Sequence, residues 1–407
     1  MKVGFVSSLY SPNVVGGAER VVQALAESLV DAGHDAFVVT AAEEPGVRTA
    51  FVNGVRVYYV GNRNLYWPFR PEGRPSHLKP LWHAIDTYNV AMAHEVGRIL
   101  TDQRPEVLHT HGLMGFSPLV WRAAKRLQIP VVHTLHDYYL LCPRATLFRD
   151  GRNCIRRHLD CRLYSVPRLH ATRHVDAVVG VSQYILDRHL GDGAFASVSR
   201  RHVIHNMRTD VPASHKPWPE LRSQAPGDAG RRPLRIGFIG QLVPLKGIEL
   251  LLEETLLLPH DAWRLTIAGR GYPPEYEAGL RAQYASERVE FVGFAEPTAF
   301  FRKIDVLVVP SLWQEPMGLV ILESRAHGVP VIASRRGGMP ELLEDGKNGW
   351  LFDPSLPGAL AARLRQLIAN PSLVTAAASR TADGLSAFTV SGVRAKYEEV
   401  YRTLLPT

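Results

Sequence analysis

Two glutamates eight positions apart carry the clearest chemistry in this chain, within Pro310-Ser311-Leu312-Trp313-Gln314-Glu315-Pro316-Met317-Gly318-Leu319-Val320-Ile321-Leu322-Glu323. The apolar run Val306 to Val309 reads as a strand, Glu315 falls in the loop after it, and Glu323 falls on a helix. Pro316 suits the first helical position, because its missing N–H would be unpaired there anyway. Glu315 is therefore expected at the helix mouth, where free amides and the positive dipole end point at a bound anion. Glu323 would lie roughly 10–12 Å further along the axis. A phosphate on the amides of Gly318, Leu319 and Val320 would leave one carboxylate for each flanking group. That arrangement suits a pyrophosphate with a sugar on either side, as in a nucleotide sugar. For Glu315 alone the plain alternative is a solvated acid at a helix start, which helices favour in any case.

Other polar groups collect where strands should end. Gly240-Gln241-Leu242-Val243-Pro244-Leu245-Lys246-Gly247 follows an apolar run, and Lys246 can offer a point charge to a diphosphate as it leaves. Gly16 and Gly17, in Asn13-Val14-Val15-Gly16-Gly17-Ala18-Glu19-Arg20, let the backbone approach a ligand ahead of a helix. His136, Asp137 and Tyr138 close the run Val131 to Leu135, and His109 and His111 close the one before it. With 17 histidines in the chain, any single one is more often structural, and the strand-end position is what raises His111 and His136.

The elements that hold these residues follow from periodicity. Short apolar runs alternate with helical patterns throughout, which predicts parallel α/β layers. Strands are expected at Val3–Ser7, Ala36–Thr40, Val55–Val60, Val107–His111, Val131–Leu135, Ala177–Val181 and His202–His205. Helices are expected near Ala18–Ala32, His83–Leu100, Ser117–Leu127 and Gln183–His189. Around Val211 to Pro233, the prolines Pro212, Pro217, Pro219 and Pro226 without apolar periodicity mark a linker. A second series comes after it, with strands at Leu234–Ile239, Trp263–Ala268, Val289–Val292, Val306–Val309 and Pro330–Ala333, and a last helix over Val393–Leu405. The 407 residues thus divide into a first domain, 1–210 with the terminal helix of about 388–407, and a second, 211–387. Two such domains facing across a cleft would bind ligands at the carboxyl ends of their strands.

Composition narrows the classes. A hydrophobic share of 46% and a charged share of 21% are those of a globular protein. No stretch approaches the ~20 apolar residues of a membrane span, and Met1 to Ser8 reads as a first strand, so a cytoplasmic location is expected. Cys142, Cys154 and Cys161 lack paired C-x2-C spacing, so reduced thiols in a loop are expected rather than a metal site. The net charge of +8 resides almost wholly between Cys142 and Arg208, which hold twelve Arg and five Asp with no Lys or Glu. Arg152, Arg156, Arg157, Arg162, Arg168 and Arg173 are the densest part. Such a patch suits anionic lipid headgroups or a pyrophosphate-linked acceptor. Nucleic acid is disfavoured, since no stacking pattern accompanies the charge.

The Glu315–Glu323 segment resembles the E-x7-E motif of retaining glycosyltransferases of GT-B fold, family 4. The likeness runs on through Ser324-Arg325-Ala326-His327-Gly328-Val329-Pro330, Gly337-Gly338-Met339-Pro340-Glu341 and Asp345-Gly346-Lys347-Asn348-Gly349. The resemblance implies two Rossmann-like domains, with the C-terminal helix crossing back to the first. It implies that Glu323 holds the ribose hydroxyls, Glu315 contacts the donor sugar, and His136 approaches the transferred sugar. Gly16, Gly17, Gln241, Lys246, Arg270 and Phe294, with the amides of Gly318 to Val320, would complete the donor site; Gly293 and Glu341 match the family's pocket as well. His111, Asp137 and Tyr138 would lie on the acceptor side. Gln241 departs from the arginine common at its position, and Arg270 is a substitute for that charge. The function implied is hexose transfer from a UDP- or GDP-linked donor to a saccharide hydroxyl, lipid-linked at the inner membrane face, without metal or cofactor. A nucleotide-sugar binder without turnover and a nucleotide-sugar epimerase are the alternatives. A dinucleotide oxidoreductase is disfavoured by the lack of G-x-G-x-x-G after the first strand.

Overall fold

Valine and isoleucine runs too short for buried helices become central strands here, and the amphipathic stretches between them become covering helices. The computed structural model describes residues 1–14, 16–69, 75–208 and 232–406. Residues 211–231 of the expected linker, and residues 70–74, lie outside the described residues. The chain forms two compact units. The first comprises 1–147, 154–209 and 388–407, and the second comprises 148–153 and 210–387.

In chain order the first unit contains β1 (Lys2–Ser7), α1 (Gly17–Asp31), β2 (Asp35–Ala42), β3 (Val47–Val52), β4 (Val55–Gly61), α2 (Lys79–Thr87) and α3 (Val90–Gln103). It continues with β5 (Val107–Thr110), α4 (Leu119–Arg126) and β6 (Val131–Leu135). The hairpin of β7 (Phe148–Arg149) and β8 (Arg152–Asn153) then groups with the second unit. After it come α5 (Leu159–Ala171), β9 (Ala177–Gly180), α6 (Gln183–Gly191) and β10 (Arg200–Val203). The eight-stranded sheet has the order β10-β9-β6-β5-β1-β2-β4-β3 and is parallel except for β3. β5 and β6 are buried along their whole length, which explains continuous apolar runs in place of alternation.

The second unit contains β11 (Leu234–Ile239), α7 (Ile248–Thr255), β12 (Trp263–Ala268), α8 (Pro274–Tyr284), β13 (Val289–Gly293), α9 (Pro297–Phe301) and β14 (Val306–Val309). It ends with α10 (Leu319–Ala326), β15 (Val331–Ser334), β16 (Gly349–Phe352), α11 (Ala359–Ala369) and α12 (Pro371–Ala378). Its six strands are all parallel in the order β13-β12-β11-β14-β15-β16. That is a Rossmann order, reversing direction between β11 and β14. The terminal helix α13 (Val390–Arg402) belongs to the first unit, where Arg394 donates to the Ser28 carbonyl at 3.0 Å.

Several expectations need correction. The helix expected over His83–Leu100 is two helices, because Tyr88 and Asn89 leave helical geometry and the Asn89 side chain caps α3 at the Met92 amide. β3 has no counterpart among the expected strands, since its residues are exposed or half-buried and no buried face marks the run. The cysteine segment is no simple loop: Cys161 lies on α5, a helix obscured in the sequence by the internal Pro167.

Candidate functional site

Parallel sheets present their chemistry where neighbouring strands part in opposite directions, because adjoining loops there lean away and leave a crevice. In the second unit this is the β11/β14 junction. The loop after β11 closes on Gly247, at φ 72°, where a Cβ would run into the Pro310 carbonyl. Only glycine permits that approach, and it brings the loop after β11 against the loop after β14. The amides of Leu312 and Trp313 both donate to the Leu245 carbonyl, at 2.9 and 3.3 Å.

Lys246 and Glu315 meet as a result, with Nζ donating to Oε1 at 2.5 Å. Ser311 Oγ donates to the same oxygen at 2.8 Å, and Glu315 is buried. The ammonium also lies 5.4 Å from the centre of the Trp313 ring. The Glu315 main chain is fixed independently, its carbonyl accepting from the Gly338 amide at 2.8 Å. Next to it, Gln314 Oε1 accepts from the Gly337 amide at 2.6 Å. Gly337 is the second place where glycine is required, since a Cβ would collide with the Glu315 backbone.

The helix after Glu315 starts later than the sequence suggests. Gly318 is its N-cap in the left-handed region, at φ 97°, and α10 begins at Leu319. Pro316 is therefore a loop residue, and Glu315 stands three positions before the cap. The first-turn amides of Leu319 and Val320 still open toward the loop, as helix geometry requires. Glu323 is half-buried in α10. Arg325, from the same helix, points to main chain instead, donating to the carbonyls of Thr381 at 3.1 Å and Leu342 at 2.6 Å.

Gln241, Arg270, Gly293 and Phe294 follow the adjacent strands β11, β12 and β13. Loop pairing keeps them together: Leu242 donates to the Arg270 carbonyl at 2.8 Å, and Gly269 donates to Gly293 at 2.7 Å. Gly293 lies beneath the Arg270 guanidinium, where a Cβ would come within 3.2 Å of it. Gln241, Arg270 and Phe294 are all exposed, and Glu277 sits 3.6 Å from Arg270. Glu341 is exposed on a one-turn helix, Met339–Leu342.

In the first unit the corresponding reversal lies between β1 and β5, where the Ser8 amide donates to the Gly112 carbonyl at 2.9 Å. Gly16 caps α1, and its amide is already taken by Glu19 Oε2 at 2.8 Å. His111 Nδ1 and His136 Nε2 share a hydrogen bond of 2.9 Å. Burial drives His136 down to about 4 and His111 well below its usual value, so both rings are neutral at pH 7. Either direction of that bond leaves His136 Nδ1 without a partner among the described residues. Burial raises Asp137 to about 6, opposed by the Tyr139 amide donating to its Oδ1 at 2.8 Å.

Two residues of this group have interior roles. Tyr138 is buried and stacks on His189, with ring centres 5.9 Å apart, so it does not face a ligand. His109 is fully buried between Tyr401 Oη at 2.7 Å and Thr134 Oγ1 at 2.8 Å, tying α13 to the sheet. Asn153 has a role that no sequence signal marks. From β8 its Nδ2 donates to the Leu312 carbonyl at 2.7 Å and its Oδ1 accepts from the Gln314 amide at 3.0 Å, bracketing Trp313. Nothing in the type or spacing of a lone Asn points to such a position.

Among the described residues no group of three His, Cys, Asp or Glu side chains is arranged to hold a metal, and no helix is long and apolar enough to cross a membrane. The three cysteines are free thiols, and burial pushes Cys161, beside Cys142, up to about 12. A groove of about 550 Å³ between α3 and α4, lined by Tyr88, His94 and Arg122, lies on the helix layer away from the strand ends.

Comparison with known proteins accords with this geometry. Residues 16–207 match a glycosyl transferase 4-like domain, and residues 233–370 match the glycosyl transferases group 1. The chain is 33% identical over 342 residues to an uncharacterised 42.6 kDa protein in the cps region of Klebsiella pneumoniae, covering 84% of this chain and 87% of the relative. It is 26% identical over 397 residues to glycogen synthase of Mycobacterium tuberculosis, covering 91% and 87%. Among solved structures, sucrose-phosphate synthase from Thermosynechococcus elongatus aligns with a TM-score of 0.75 at 19% identity, covering 99% of this chain and 98% of the other. Anabaena Alr3699/HepE in complex with UDP and glucose aligns with a TM-score of 0.68 at 20% identity, covering 99% and 100%.

Proposed function

Since the chain belongs to the group 1 glycosyltransferases of GT-B type, we propose that it transfers a hexose with retention of configuration, as a member of family 4. The donor is a UDP- or GDP-linked hexose, and UDP is favoured because the Anabaena structures hold UDP, UDP-glucose, or UDP with glucose. The acceptor is a saccharide hydroxyl, lipid-linked, in glycan or polysaccharide assembly at the cytoplasmic membrane face. The glycogen synthase relative supports saccharide assembly, and the Arg-rich segment 142–208 supports a peripheral contact with anionic membrane.

The observation that carries the donor reading is the Lys246–Glu315 pair at the β11/β14 reversal, beside the opening amides of α10. In the proposed step, the bond from the sugar's anomeric carbon to the phosphate oxygen breaks, and its electron pair stays on the diphosphate. Lys246 and the helix amides take up that charge, so no metal is required. The acceptor oxygen bonds to the same face of the anomeric carbon, and its proton passes to the departing phosphate. Glu315, its carboxylate held by Ser311 and Lys246, faces the positive charge developing on the sugar. Glu323 holds the ribose hydroxyls, and Gln241, Arg270 and Phe294 border the nucleotide. In the first unit, neutral His136 offers Nδ1 to a sugar hydroxyl, and His111 fixes its tautomer.

Titration calorimetry with UDP and GDP, followed by donor turnover with and without EDTA, tests this. Tight binding of one nucleoside diphosphate and EDTA-insensitive transfer are expected. Binding without turnover on any saccharide would establish a non-catalytic binder, and donor isomerisation without acceptor would establish an epimerase.

A further inference from the structure

Helix α5 turns an apolar row outward. At 100° per residue, Leu159, Leu163 and Val166 fall within a sector of about 60°. They are 82%, 71% and 57% exposed, and Ile155, just before the helix, is 86% exposed. The inner face is the polar one. Arg168 is buried, donating to the Tyr139 carbonyl at 2.7 Å and pairing with Asp86 at 3.1 Å, and Ser165 Oγ accepts from Arg157 at 2.7 Å. Anchoring a helix through a desolvated ion pair stabilises less than anchoring it through leucines. An apolar row left outside by such an anchor marks a surface that meets something apolar.

The charge around the row says what that is. Two of the segment's arginines are spent internally, Arg168 on Asp86 and Arg157 on Asp192 at 3.1 Å, so they are not part of the outer patch. Arg156 and Arg162 are exposed beside the row, and Asp160 is the acid there. α2 packs alongside, with Tyr164 donating to the Pro80 carbonyl at 3.1 Å, and brings exposed Lys79 and Leu81. A second copy of the chain fits this face poorly, because two-fold pairing would set arginine against arginine. An anionic bilayer answers both features: acyl chains receive the leucines and headgroups receive the guanidiniums.

We propose that α5 with Ile155 is a membrane-docking element that lies in the plane of an anionic lipid surface, with Ile155, Leu159, Leu163 and Val166 buried among the acyl chains. It gives the membrane contact of the proposed function a defined element, and its test needs neither donor nor acceptor. The test is flotation of the intact chain with vesicles of phosphatidylcholine, alone or with about one lipid in three replaced by phosphatidylglycerol. Wild type should float with the anionic vesicles about tenfold more than with the neutral ones, and less as salt rises. Leu159→Glu with Leu163→Glu should abolish flotation while the thermal midpoint and UDP affinity stay at wild-type values. Arg156→Glu with Arg162→Glu should weaken flotation by about fivefold per arginine and flatten its salt dependence. Three results would overturn the proposal: no flotation of wild type at low salt, flotation indifferent to the leucine changes, or a dimer that the leucine changes dissociate with flotation unaffected. UDP affinity reports separately on the donor site, so loss of one reading does not imply loss of the other.

Discussion

The carboxyl ends of the two sheets hold their polar residues in opposite electrical states. At the β11/β14 reversal a lysine and a glutamate are charged and paired at 2.5 Å. Along β5 and β6, His109 and His133 within the strands and His111 and His136 just past their ends are packed as neutral rings, each held below its usual value first by burial. One geometry, the parallel strand end, thus supplies a charged clamp in one unit and uncharged hydrogen-bonding groups in the other. In the proposed function, charge would suit the place where a diphosphate departs, and neutral imidazole would suit contact with hydroxyls, which need donors and acceptors rather than a field.

Breaking the charged side should have the largest effect. Glu315→Gln keeps a partner for Ser311 and Lys246 but removes the charge, and turnover should fall by about 10²–10³-fold with the fold intact. Lys246→Ala should cost turnover similarly. It also strands a buried carboxylate, at about 1–3 kcal/mol given that the lysine is 30% exposed. Near wild-type rates in purified Glu315→Gln would show that the pair is structural only.

The neutral side should break with acid. A histidine whose folded value lies below its unfolded value of about 6.5 stabilises fully above that value and loses this as pH falls toward the folded one. His133 is held at about 3, and His136 and His189 at about 4. Each can withdraw up to about 1.4 kcal/mol of stability per pH unit below 6.5. Burial of Asp137, with a folded value of about 6, works the other way: its penalty is present above pH 6 and is relieved on acidification. The histidines outnumber it, so the net change is a loss. Hydrogen exchange at pH 5.5 against pH 7.5, corrected for intrinsic rates, should show β5 and β6 losing protection while β11 and β14 keep theirs. Equal loss in both sheets would remove the contrast.

How much of this is legible in the sequence differs between the two ends in the same way. The Glu315 segment is readable because a strand, a proline, a glycine and two acids lie in one run, where local signals dominate the backbone path. Even there the sequence places the helix start too early, because Pro316 marks a helix opening only if the next residues can stay helical, and Gly318 takes a positive φ. The histidines are visible as strand ends, but whether a ring faces a ligand or the interior depends on what packs over it. His109 is covered by Tyr401, 292 residues away, and Tyr138 by His189. Helix α5 has its apolar spacing in plain view at Leu159, Leu163 and Val166, yet Pro167 and the arginines argue for a loop. Tertiary anchors such as Arg168 with Asp86 decide otherwise.

Asn153 sharpens the charged side with a smaller effect. Its two bonds hold the main chain of Leu312 and Gln314, immediately before Glu315. Asn153→Ala should lower kcat by about 3–30-fold, the cost of one or two hydrogen bonds, with donor KM changed less. Asn153→Asp keeps the acceptor for Gln314 but places a carboxylate against the Leu312 carbonyl, so it should recover only part of the rate. A shift in donor KM alone would mean that the hairpin contacts donor rather than positioning Glu315.

The smallest expected effect belongs to Gln241, where the family's common arginine is absent. Gln241 is exposed at the end of β11, and Arg270, across the Leu242 amide bond to its carbonyl, is 72% exposed with Glu277 close by. Charges this open to water interact weakly and are screened by salt. Gln241→Arg should therefore tighten UDP binding by only about two- to fivefold at low ionic strength, a gain corresponding to about 0.4–1 kcal/mol. The gain should fade at high salt, whereas the effect of Lys246→Ala, next to a buried partner, should persist. Titration of both variants with UDP across a salt series separates the two cases. A Gln241→Arg gain that survives high salt would mean the diphosphate is desolvated at this loop as well, so that the clamp reaches beyond the Lys246–Glu315 pair to the open ends of β11 and β12.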